Sequence, residues 1–343
     1  MRIADARHEF PGAPGYLNTA AIGLPPQRAA DALQEAIAVW QSGKAHAPAY
    51  DVDVATARRL FAQLVAVPVD WVAIGSQVSA LVALAVTAIP PGSRVLCPDD
   101  EFSSVIFPLL VRTDLEVEFV PLESLPDAIG PDIDVVAFSM VQSADGRVAD
   151  TAAIKTAAAE HDVLTMIDVT QAVGWLPFDA TRFDVVVAGT YKWLLSPRGT
   201  AFLAVRPELQ DRMQPLYAGW YAGQDPWDSI YGPPLRLADN ARRFDLSPGW
   251  LNWVALVPAL ELLLDLGVDQ IHRHNVGLAN SLRRRLGLED SNSAIVSLRL
   301  DPDFDDARLT GLHTAYRAGR LRAGFHLYNT EEDVNRLGQA VLG

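Results

Sequence analysis

Cysteine is nearly missing from this chain. Cys97 stands alone among 343 residues, which excludes an intramolecular disulfide and any zinc cluster built on cysteines. Positive charge is also short: 28 Lys and Arg face 42 Asp and Glu, giving a formal net charge of −14. That balance opposes a general nucleic-acid or anionic-membrane surface, while leaving room for a local basic pocket that takes a phosphate or carboxylate. Long apolar runs are absent; the stretch from Ala80 to Pro90 is too short and too broken to span a bilayer. The opening Met1-Arg2-Ile3-Ala4-Asp5 lacks the charged-then-apolar layout of a signal peptide, so a cytoplasmic protein with small-molecule partners is expected. No Gly-x-Gly-x-x-Gly follows the first strand-like run, which argues against a nicotinamide reductase. His272 and His274 are two apart on a helical stretch and share no face, so no metal site is expected there.

Half the residues are apolar and a fifth charged, enough for one large domain or two unequal ones. After an N-terminal arm ending near Pro25-Pro26, Arg28 to Trp40 and Val54 to Leu64 read as helices. Seven strand-like runs follow, at 71–74, 94–97, 116–119, 135–138, 163–168, 183–192 and 200–205, alternating with helical stretches. Such a βαβ series predicts an α/β fold with a mainly parallel seven-stranded sheet covered on both faces. Between Pro207 and Pro248 the pattern dissolves into a segment rich in Trp, Tyr, Gly and Pro, too long for an idle connection and so expected at a functional site or interface. From Trp250 the chain resumes with a long helix, an arginine-rich helix, a strand around 294–300 and a final helix after Asn329. The expected division is an arm (1–25) packing with the small domain, a large domain (26–235) and a smaller α+β domain (236–343).

Lysine is the rarest charged side chain, with three against 25 arginines. One of them, Lys192, ends an apolar strand, where open α/β sheets keep their ligands. The strand before it, Val163 to Asp168, delivers a carboxylate to the same edge. An amine able to form a Schiff base and an acid able to pair with a pyridinium nitrogen are the two protein groups that pyridoxal phosphate chemistry needs. Gln171, one helical turn beyond Asp168, would hydrogen-bond the ring's phenolic oxygen. Upstream, Gly75-Ser76-Gln77-Val78-Ser79 lies between a strand and a helix. Its free N–H groups would suit a phosphate, although an ordinary capped helix reads the same way.

These residues carry a resemblance. Ile167-Asp168-x-x-Gln171, Thr190-Tyr191-Lys192-Trp193 and Pro197-Arg198-Gly199 resemble the class V aminotransferase-fold enzymes of pyridoxal phosphate fold type I. The opening Tyr16-Leu17-Asn18-Thr19-Ala20-Ala21 and the closing Arg322-Ala323-Gly324-Phe325-His326-Leu327-Tyr328-Asn329-Thr330-Glu331-Glu332-Asp333 are similar to that family's terminal motifs, so the likeness spans the chain. It implies a cofactor, pyridoxal 5′-phosphate, held on Lys192 as an aldimine, with Lys192 also moving protons. Asp168 and Gln171 would serve the ring, Ser143 would lie near its oxygen, and Phe102 would stack on it where relatives often carry histidine. Stacking survives that change, whereas proton transfer by a histidine does not. Ser76, Gln77 and Tyr191 would contact the phosphate, Tyr191 as in kynureninase-like members. The resemblance further implies a homodimer with its active site at the subunit interface, in which Trp220 and Ser247 complete the neighbour's phosphate site. Arg322 would clamp the substrate α-carboxylate, aided by Asn18.

Within the family, cysteine desulfurases use a cysteine on a mobile loop just before the carboxylate arginine. Here His313 to Arg322 contains no cysteine and is too short for that loop. What remains is chemistry that Lys192 performs alone. The first expectation is β-elimination by a C–S lyase acting on a cysteine conjugate or its sulfoxide, with Trp220, Tyr221, Trp227 and Tyr231 lining a pocket for the substituent. Transamination is the runner-up; epimerisation, as in isopenicillin N epimerase-like members, needs a second base that does not stand out. A non-catalytic protein retaining the fold is a further alternative, opposed by the intact lysine, aspartate and arginine.

Overall fold

The structure, a computed structural model, describes residues 1–343. Seven strands form the large sheet: β1 (Val72–Gly75), β2 (Arg94–Pro98), β3 (Glu116–Val120), β4 (Val135–Ser139), β5 (Leu164–Asp168), β6 (Val185–Gly189) and β7 (Ala201–Val205). Their spatial order is β1-β7-β6-β5-β4-β2-β3, with β2 to β6 parallel and β7 antiparallel to both neighbours. Fold type I is therefore present, with the mainly parallel sheet that the alternating pattern predicts.

The strands are apolar runs because helices cover both faces. Along β6, Val186 and Ala188 enter one apolar cluster, while Val185 and Val187 enter the other. That alternation is the two-residue period of a strand projected into two cores. On one side pack the helices Gln27–Gln41, Asp51–Leu64 and Trp250–Leu266, with Phe61 stacked on Phe202 at 4.1 Å between ring centroids. On the other lie the helices Val78–Val86 and Ser103–Leu110. Strand β3 is the exception, since Glu116 and Glu118 are exposed at the sheet's edge. Charge there discourages pairing with another chain.

A second, antiparallel sheet joins β8 (Ile295–Leu298), β10 (Arg320–Gly324) and β9 (Ala315–Arg317), in that order. Only the first of these is apparent from pattern. The β9–β10 hairpin reads Ala-Tyr-Arg-Ala-Gly-Arg-Leu-Arg-Ala-Gly, with Leu321 and Ala323 turned into the core and Arg317, Arg320 and Arg322 on the opposite face. Its two-residue turn, Ala318-Gly319, places both residues at positive φ (47° and 71°), as a tight hairpin requires. The helices Val268–Arg285 and Glu331–Leu342 pack on this sheet around Leu278, Leu282, Leu321 and Leu337.

The two terminal motifs meet in space. Leu17 N–H donates to His313 O at 2.9 Å, and Leu17 O accepts from Gly324 N–H at 2.7 Å. Asn329 Nδ2 donates to Tyr16 O at 2.8 Å, and Asp333, the capping-box acid of the final helix, accepts from Gly15 N–H at 2.8 Å. Onward, Gly23 presses so close to the Lys192 carbonyl that a Cβ there would collide with it.

A division at 235/236 falls inside a segment that packs on the large sheet. Leu246 N–H donates to Ile74 O at 3.1 Å, and the buried Asp245 carboxylate takes two guanidinium bonds from Arg58, at 2.6 and 3.0 Å. Trp253, Leu256 and Leu260 of the following helix belong to the large domain's core. The chain turns to the small sheet only after Gly267.

Candidate active site

The C-terminal ends of β1, β4, β5 and β6 deliver Gly75, Ser139, Asp168 and Gly189 to one edge of the sheet. At that edge lies a cleft with about 570 Å³ of open space. Eight residues singled out from sequence line it: Ser76, Gln77, Phe102, Ser143, Asp168, Gln171, Tyr191 and Lys192. Their convergence follows from topology, since parallel strands with right-handed crossovers bring their C-terminal turns to a single crevice.

Asp168 accepts one hydrogen bond, from Thr170 N–H at 2.7 Å, and its second oxygen has no protein partner. Burial pushes its carboxyl up to about 6, against the pull of Thr170 and the Lys192 charge. Burial also pushes the Lys192 ammonium down to about 8; Asp168 opposes this, while Arg322, Arg317 and Arg198 add to it. No carboxylate lies within 4 Å of the Lys192 Nζ, which instead sits 5.4 Å from the Phe102 ring centroid and 5.7 Å from that of Tyr191. Acid and amine thus face one space without closing on each other.

Ahead of the helix Val78–Val86, Gln77 is the N-cap residue yet makes no side-chain cap bond. The first-turn N–H groups are therefore free for an anion beside Ser76. Arg198 lines the same end of the cleft, its guanidinium 5.2 Å from the Tyr191 ring.

Arg322, from β10, approaches from the other domain and is 2% exposed. Its Nη1 donates to the Ser143 carbonyl, and to Ser143 Oγ at 3.4 Å, but its Nε has no partner and no carboxylate pairs with it. Burial and the neighbouring Arg317 push it down to about 10, leaving it charged at neutral pH. The buried Asn18 Oδ1 also lacks a partner, held where the arm bridges to Gly324.

Gln171 departs from its expected use. One amide N–H goes to Ala20 O at 2.9 Å and the other to Ser143 Oγ at 3.2 Å, while its carbonyl accepts from Trp193 Nε1 at 2.7 Å. Both protons are spent within the protein, so a bond to a ring oxygen requires exchange with Ser143. The aromatic segment departs too. Trp220 packs 4.9 Å from Trp227 between ring centroids, and Trp227 and Tyr221 bond to Asp51, all outside this chain's cleft. Tyr231 is 86% exposed, and Ser247 lies on the surface beyond Asp245.

Sequence reasoning missed Glu101, Thr170 and Arg198. Glu101 is a buried carboxylate under the cleft that accepts from Phe102 N–H, Ser139 N–H and Ser139 Oγ, and so ties the Phe102 backbone to the end of β4. Arg198 had a usable signal, following Lys192 by six residues in the quoted motif. Cys97 is buried in β2, and burial beside Glu101 raises its thiol so far that it stays protonated and inert.

The family model for aminotransferase class-V matches residues 16–299. The chain belongs to that family. It is 29% identical over 302 residues to the uncharacterised aminotransferase YcbU of Bacillus subtilis (strain 168), covering 81% of this chain and 80% of that one. Isopenicillin N epimerase of Amycolatopsis lactamdurans is 28% identical over 340 residues, covering 83% of each. Among solved structures, a cystine C–S lyase complexed with cysteine persulfide superposes with a TM-score of 0.86 at 20% identity, over 96% of this chain and 97% of that one, and shares its fold.

The cofactor of this class-V enzyme is pyridoxal 5′-phosphate, and the residues fit it. Asp168 offers at the cleft an unpartnered oxygen of the kind a pyridinium nitrogen pairs with, Lys192 an amine of lowered basicity, and the uncapped helix start an anion seat. Its substrate is an amino acid.

Proposed function

We propose that this class-V enzyme is a lyase that cleaves the Cβ–S bond of S-substituted cysteines or their sulfoxides. The observation that carries the reading is the buried Arg322 at the cleft, reached by a hairpin whose turn has two residues and no thiol. A carboxylate held there leaves Lys192 as the titratable group facing the reacting carbon.

Pyridoxal phosphate supplies an electron sink for bonds broken at the amino acid's Cα. Asp168 and Lys192 would hold its ring, Phe102 would cover one face, and Ser76, Gln77, Tyr191 and Arg198 would hold its phosphate. Arg322 binds the α-carboxylate with its free Nε edge, and the Asn18 carbonyl oxygen orients the substrate from the arm. The Lys192 amine takes the Cα proton. The Cβ–S bond then breaks with its electron pair on sulfur, and Lys192 returns the proton to the departing thiolate, or to the sulfenate where the substrate is a sulfoxide. Water completes the balance: the three-carbon remainder hydrolyses to pyruvate and ammonium.

Trp220, Ser247 and the exposed Tyr231 and Leu235 lie outside the cleft, and we infer that they form the contact with a second copy. Light scattering at micromolar concentration checks the dimer. The function itself is tested by mixing cofactor-loaded protein with S-substituted cysteines and assaying pyruvate and ammonia while following the cofactor spectrum. Catalytic pyruvate release is expected. Conversion of the cofactor to its amine form without pyruvate would establish transamination instead.

A further inference from the structure

Across the small sheet, Arg322 pairs with Ala315 and Arg320 with Arg317. Residues paired across antiparallel strands share a face, as do residues two apart on one strand. Arg317, Arg320 and Arg322 therefore stand on one face, while Leu321 and Ala323 turn into the small domain's core. The chain's ion pairs involve other arginines, so no carboxylate lies within 4 Å of these three. In a protein of net charge −14, three unpaired cations on one face call for an explanation.

Two of the three are accounted for. Arg322 is assigned to the α-carboxylate, and Arg320 is half-buried with Nη2 3.4 Å from Ser297 O. Arg317 is exposed, and its Nη1 donates to the carbonyl of its own neighbour, Tyr316. Its charge nevertheless reaches the cleft, weakening proton binding at Arg322 and, more strongly than the cleft-lining Arg198, at Lys192. Arg317 is the diagonal neighbour of Arg322, a relation that keeps two long side chains within reach of each other. Two guanidinium groups so placed can each take one carboxylate of a single extended amino acid.

We propose that Arg317 binds a second anionic group at the end of the substrate's side chain, so that the substrate is an amino acid with an anionic side-chain terminus. The proposal rests on the reading that Arg322 takes the α-carboxylate. Arg317 then selects among side chains, and neutral substituents leave its charge unused.

The test compares S-carboxymethyl-L-cysteine with S-methyl-L-cysteine as substrates of the cofactor-loaded protein. The wild-type ratio of kcat/KM is expected to favour the carboxymethyl compound, and Arg317→Gln to lower that ratio about tenfold. Arg317→Lys, which keeps the charge without the planar fork, should restore part of it. A wild-type ratio at or below one, or a ratio that Arg317→Gln preserves, overturns the proposal. If neither thioether releases pyruvate, dissociation constants for L-2-aminoadipate and L-norleucine are read from the cofactor's absorbance. Preference for aminoadipate that Arg317→Gln abolishes upholds the anion subsite and refutes the lyase reading alone; equal binding refutes the subsite.

Discussion

Two places in this molecule bury charge, and they treat it in opposite ways. At the β1 end of the sheet, the fully buried Asp245 is matched to Arg58 by two bonds, at 2.6 and 3.0 Å, and its Oδ1 also accepts from Ile74 N–H at 2.9 Å. At the β5–β6 edge, Asp168, Lys192 and Arg322 are each buried, yet none is paired with an opposite charge inside 4 Å. Burying an unpaired charge costs several kcal/mol. A fold that satisfies one site and leaves the other open is holding the second ready for charges that arrive with a ligand. The first site fastens the 207–248 segment to β1, just before the turn at Ser76. The second lines the cleft to which the proposed chemistry is assigned.

The contrast is broken most completely at Lys192. Lys192→Ala is expected to abolish the borohydride-reducible link between protein and cofactor, measured by mass; full retention would move the link to Lys44 or Lys155. Next in size is the structural pair. Asp245→Asn strands the Arg58 charge in the core and is expected to destabilise the cofactor-free protein by about 3–5 kcal/mol in urea unfolding. A change under about 1 kcal/mol would mean that this ion pair is no more structural than the open site.

A smaller effect sharpens the comparison through pH. Loading requires the neutral Lys192 amine, and burial has pushed that group down to about 8. The loading rate should therefore climb about tenfold per pH unit below 8 and level off above it. Asp168→Asn removes the charge that helps Lys192 keep its proton, so the bend should move to lower pH. A bend near the ordinary lysine value would deny the effect of burial.

The open site was largely legible in the sequence because its parts sit at strand ends. Asp168 and Lys192 each terminate an apolar run, and a parallel sheet gathers such ends without further information. The terminal motifs were legible for the same kind of reason: Tyr16 to Ala21 and Arg322 to Asp333 are local patterns that meet through backbone bonds. What escaped depends on contacts that pattern does not encode. The β9–β10 hairpin is short, and only Leu321 and Ala323 of β10 turn into a core, so its alternation is too brief to stand out in the sequence. Glu101 reads as one more acid until the fold buries it under Ser139. Gln171 matched its motif, but only the structure shows both of its amide protons taken. The aromatic run from Trp220 to Tyr231 looked like a pocket wall, whereas Asp51, far away in sequence, draws Trp227 and Tyr221 to itself.

The central claim is that the charges left unpaired at the cleft are there for a ligand and not for the fold. Arg322→Met tests it in one protein, by urea unfolding of the cofactor-free form and by amino-acid titration of the loaded form. The account predicts stability within about 1 kcal/mol of wild type. It also predicts amino-acid binding weaker by roughly 2–5 kcal/mol with cofactor loading intact. Unchanged amino-acid affinity together with a loss of stability like that of Asp245→Asn would contradict it, and would make Arg322 a structural residue.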